Sequence, residues 1–111
     1  MIVQKEDVLL LCHRRLFVED QPRFFIGKVD NCEDGLILIS GYAWVKDRIT
    51  GELSSKADMR TKVVSLVSGT ILVYQLPRDI NITTLMIEPG EQQQILLMDG
   101  HGFSMDISDH R

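Results

Sequence analysis

The chain has 111 residues, of which 44% are apolar and 25% charged, and a net charge of −4. That length suits one domain, 1–111, and that composition argues against a disordered chain. Residues 1–60 carry 9 Lys/Arg against 10 Asp/Glu and residues 61–111 carry 3 against 6, so neither half is basic and bulk charge gives a nucleic-acid partner no support.

Taken from the N-terminus, the first apolar run is Val8-Leu9-Leu10-Leu11-Cys12. It is too short for periodicity to decide between strand and helix. The punctuation at Glu19-Asp20-Gln21-Pro22 favours a strand, with an amphipathic N-terminal helix as the alternative. The run also lacks the basic start and length of a secretory signal, and no stretch approaches a transmembrane length. The expectation is a cytoplasmic protein with no membrane partner. Cys12 and Cys32 form no Cys-x-x-Cys pair and lie in apolar surroundings, where a free thiol behaves as a small hydrophobe.

Residues 24–44 organise the rest. Two apolar runs flank Glu33-Asp34-Gly35, a polar step whose glycine accepts positive φ cheaply, so the stretch predicts a β-hairpin. Leu36 to Ile39 are apolar at every position, which predicts a central strand covered on both faces. Gly41 interrupts the run and marks a bulge or bend, as in a small sheet curling toward a barrel. Asp47 to Thr61 is the longest polar stretch. Thr50-Gly51 inside it suggests a turn, so residues 46–62 are expected as a projecting loop or hairpin arm.

Further strands are predicted over 62–67, 70–76, 95–98 and 103–107, with Ser68-Gly69 as a two-residue hairpin turn and residues 99–102 as another tight turn. Phe103, Met105 and Ile107 alternate with polar residues, the mark of a half-buried strand. Pro77 ends strand pairing, and Asp79 can cap at most one helical turn over 80–85, because Ile82, Thr83 and Thr84 are β-branched. Pro89-Gly90 reads as a turn and 108–111 as a frayed end. The fold expected is an all-β domain of six or seven strands, a bent sheet or small barrel with at most a short helix. Its core is expected to hold Ile26, Val29, Leu36, Leu38, Val64, Leu66, Leu72, Leu97, Phe103 and Ile107.

No phosphate loop, zinc spacing or nucleophile elbow is present, and His101 beside Asp99 lacks a nucleophile. No enzyme, cofactor or metal site is expected. The candidate contacts for a ligand or nucleic acid are cationic: His13, Arg14 and Arg15 as the densest cluster, and Arg48, Arg60 and Lys62 around the polar loop. The bland readings are commoner. A charged strand edge discourages unwanted pairing, and Asp47, Glu52 and Asp58 make an ordinary solvated loop. Phe24, Phe25, Tyr42 and Trp44 can form a base-stacking platform, but aromatics in a small β core are more frequent.

The stretches RFFIGKVDNCEDGLILISGYAWV and TKVVSLVSGTILVYQLP resemble uncharacterised small bacterial β-rich proteins and, more distantly, Sm-like (SH3-like) β-barrels. The first resemblance implies no activity. The second rests on short, glycine-kinked strands and an acidic-Gly hairpin, and implies ring formation and RNA binding through loops. The family's Asp/Asn loop pattern and Arg-Gly step have no clear counterpart here, so no binding residue is carried over. The reading that follows is a non-catalytic homo-oligomeric assembly or protein-interaction module with an unidentified protein partner. The alternative is an Sm-like RNA-binding protein, which the net charge disfavours.

Overall fold

A computed structural model describes residues 2–13, 23–46, 49–50, 53–91 and 94–107. Among these the chain is all-β with no α-helix. It forms nine strands in two antiparallel sheets rather than the six or seven expected. They are β1 (Val8–His13), β2 (Arg23–Glu33), β3 (Leu36–Lys46), β4 (Leu53–Ser55), β5 (Arg60–Ser65), β6 (Ile71–Leu76), β7 (Met86–Pro89), β8 (Ile95–Met98) and β9 (Ser104–Asp106).

The larger sheet runs β4-β3-β2-β1-β6, with β5 also on β3. Strand β3 is long enough to hold two short strands along one edge. Trp44–Lys46 pairs with β4, and Leu36–Gly41 pairs with β5. Strand β4 also lies against β7; of the arm expected over 46–62, residues 47–48 and 51–52 lie outside the described residues. The smaller sheet is the meander β7-β8-β9. Pro89 belongs to β7, an edge strand, where a missing N–H costs no ladder bond.

Alternation along the central strands creates two cores. Val8, Leu10 and Cys12 of β1 join Phe24, Ile26 and Trp44 and meet Leu85, Ile87, Leu97 and Ile107, so this core lies between the sheets. Leu9 and Leu11 point the other way, onto Phe25, Val29, Ile37 and Ile39. The strands buried on both faces are therefore β1 and the first half of β2. That corrects the assignment of this place to β3.

The second core shows how the larger sheet curls. Val64 and Leu66, from β5 and its following turn, pack on it from one edge, and Ile71 and Val73 of β6 from the other. Residues 66–70 join these edges, yet β5 and β6 are not paired, so the sheet does not close into a barrel. Ser68-Gly69 is accordingly part of a five-residue connection and not a two-residue hairpin turn.

The hairpin tip is a turn of Asp34 and Gly35, with φ of 50° and 81°. Both central residues are left-handed, which suits the type I′ turn that matches strand twist. The ladder shifts register between Val29 and Asn31, so the bulge is at Asp30 and not at Gly41. Ser40 Oγ donates to the Asp30 carboxylate, which gives the bulged residue a partner. After β6, Asn81 Oδ1 accepts from Thr83 N at 2.9 Å, making a side-chain-stabilised turn where at most one helical turn was expected.

Several expected core residues face outward. Leu36 is 48% exposed, Leu38 37% and Leu72 45%, whereas Ile37 and Ile39 are buried. The smaller sheet covers the outer face of β3 at Trp44 but not at Leu36 and Leu38. Ile26, Val29, Leu97 and Ile107 are buried as expected, and Val64, Leu66 and Phe103 are half-buried.

Candidate functional site

Of the six candidate cations, Arg14, Arg15 and Arg48 lie outside the described residues. The other three come from two distant strands and share one face. His13 ends β1 with the same parity as Leu9 and Leu11, so it belongs to the concave face. Lys62 pairs with Ile39 and Arg60 with Gly41, on that same face of β5. Lys62 Nζ sits 4.7 Å from the centre of the Phe25 ring, a cation–π contact that fixes its direction.

A fourth cation completes the group. Arg23 opens β2 two residues before Phe25 and is paired in register with Val45. His13, Arg23, Lys62 and Arg60 therefore collect toward one end of the curled sheet. The His13 imidazole is held below the ordinary histidine value, first by partial burial and then by the positive charges of Lys62 and Arg23. Among the described residues the ion pairs are Lys28–Glu6 and Arg78–Asp7, and neither reaches this cluster. Arg23 had no signal in the sequence, because the β1–β2 pairing that sets it beside His13 and the curl that brings Lys62 over Phe25 both join residues far apart in the chain.

Phe24, Phe25 and Trp44 are core residues, so they offer no exposed stacking platform. Cys12 and Cys32 pack into different cores on opposite sheet faces.

The second surface is apolar. Leu36 and Leu38 stand beside Val63, which pairs with Leu38 and is 69% exposed. Val67 extends the patch beyond the hairpin tip, close to Gly35. This patch borders β5, whose second edge has no partner strand among the described residues, and the same holds for β6. An unpaired edge presents a row of backbone donors and acceptors ready for another strand.

The described residues include no helix long and apolar enough to cross a membrane and no cluster of metal-ligating side chains. Compared with known proteins, the chain matches no protein-family model, no curated protein and no solved structure.

Proposed function

We propose that the protein is a non-catalytic assembly module that associates with copies of itself through the open edges of β5 and β6. The observation that supports this is the pair of unpaired edges beside exposed Val63 and Leu72. Natural edge strands are usually guarded by charge, proline or a covering element. Here β5 carries Val63 at its surface and β6 carries Leu72. Strand addition supplies main-chain hydrogen bonds, and the apolar side chains add burial. The curled sheet, with its last long strand paired back on β1, is also in keeping with the Sm-like resemblance and its ring-forming expectation.

An RNA-binding barrel is the weaker reading. The cationic cluster favours it, but Phe24, Phe25 and Trp44 are buried and the chain carries −4 overall. Binding that rests on a few cations fades quickly with salt.

The test is the mass in solution, by light scattering at tens of micromolar on nucleic-acid-free protein, of the wild type and a Val63→Lys/Leu72→Lys variant. Both positions are exposed, so the variant is expected to fold. An oligomer that falls to monomer in the variant supports edge pairing. A monomeric wild type, or an oligomer unaffected by the substitutions, contradicts it.

A further inference from the structure

We propose that His13, Arg23 and Lys62, at one end of the concave face, form a binding site for a compact phosphate dianion. Three strands supply the three groups: His13 from β1, Arg23 from β2 and Lys62 from β5. Side-chain alternation turns all three to the same face, and the Phe25 contact holds Lys62 inward over the sheet. Arg60 lies two residues from Lys62 on the same face and adds positive potential.

Charge left uncompensated is the argument for a ligand. Among the described residues no carboxylate pairs with Arg23, Arg60 or Lys62. Like charges gathered in one place cost free energy unless an anion joins them. The arginine offers a planar fork suited to phosphate oxygens, and the lysine offers a point charge.

The geometry also selects the kind of anion. Lys62 lies over the Phe25 ring, which is itself buried, so this end of the sheet opens no Phe25 face for a base to stack on. The surrounding chain is net negative, which disfavours a long polyanion but not a small one. The favoured ligand is therefore inorganic phosphate or a phosphate monoester, which share the dianionic head.

The groups facing His13 are Arg23 from β2 and Lys62 from β5, while its β6 partner Ile71 is neutral. A dianion seated among them reverses the field that His13 feels. The experiment is an NMR titration of His13 in the 111-residue chain in chloride, in inorganic phosphate and in glycerol phosphate at matched ionic strength. Either phosphate is expected to raise the His13 midpoint by about one pH unit, the usual effect of an adjacent opposite charge. A larger effect from glycerol phosphate identifies an ester, a larger effect from inorganic phosphate identifies the free ion, and an equal effect identifies a site that reads the shared dianionic head alone. Lys62→Gln and Arg23→Gln should each reduce the shift while leaving the amide spectrum of the smaller sheet unchanged. An unchanged His13 midpoint in both phosphates overturns the proposal, and so does a shift that survives both substitutions. A short oligoribonucleotide that binds at physiological salt, where both phosphates fail, overturns it in favour of a nucleic-acid site.

Discussion

Gly27 stands directly opposite Gly41 in the β2–β3 ladder, and neither position has room for a side chain. A Cβ on Gly27 would lie 2.5 Å from the Ser40 carbonyl oxygen, and one on Gly41 would strike the Ile26 carbonyl and the Gly27 Cα. The two backbones approach closely at the middle of the sheet, where it curls around Phe25, Val29 and Ile39. Gly41→Ala is therefore expected to cost about 3 kcal/mol, at the upper end for overpacking, since backbone and not a flexible side chain must move. Urea unfolding checks it, and a loss below the ordinary range for a surface change would contradict the close approach.

Asp7 joins the N-terminal segment to the end of β6. It is 7% exposed and accepts hydrogen bonds from Gln4 N at 2.8 Å, Gln75 Nε2 at 3.3 Å and Arg78 Nε at 2.8 Å. The Gln4 N–H, and next the Arg78 guanidinium, hold its carboxyl below the usual carboxylate value against the opposing effect of burial. A depressed folded value means that the stabilisation is complete above the unfolded carboxylate range and lost as pH falls through the folded value. Asp7→Asn should lower stability by about 2 kcal/mol at neutral pH, the scale of hydrogen bonds to a charged group. The difference between wild type and variant should shrink in acid. Denaturation series at several pH values test this, and a pH-independent difference would contradict it.

Much of this fold is legible in the sequence because it depends on alternation and turn chemistry. The Asp34-Gly35 tip, the burial of Phe24, Phe25 and Trp44, and the Phe103–Met105–Ile107 face all follow from local pattern. What is not legible depends on a second element. Leu36 and Leu38 are as apolar as Ile37 and Ile39, and only the reach of the smaller sheet decides which pair is exposed. The Asp30 bulge has no glycine to announce it. The grouping of Arg23 with His13 comes from the β1–β2 register and that with Lys62 from the curl of the sheet, neither of which local spacing records.

The two thiols should differ in reactivity. Cys12 is buried between the sheets, whereas Cys32 is half-buried and its Sγ lies 3.5 Å from the Val3 carbonyl oxygen. Alkylation of the native protein followed by mass spectrometry should modify Cys32 well before Cys12, since access limits the reaction. Equal rates, or a disulfide joining the two, would contradict the placement of these residues in separate cores.

Edge pairing between copies has a signature that mass alone does not carry. If β5 and β6 gain partner strands on association, their outward-facing amides must become protected as protein concentration rises, while β1 and β2, already paired on both sides, must not change. Hydrogen exchange followed by mass spectrometry at two widely separated protein concentrations measures this directly. Edge pairing predicts slower exchange in Arg60–Ser65 and Ile71–Leu76 at the higher concentration, and exchange in both strands that is the same at the two concentrations would contradict it.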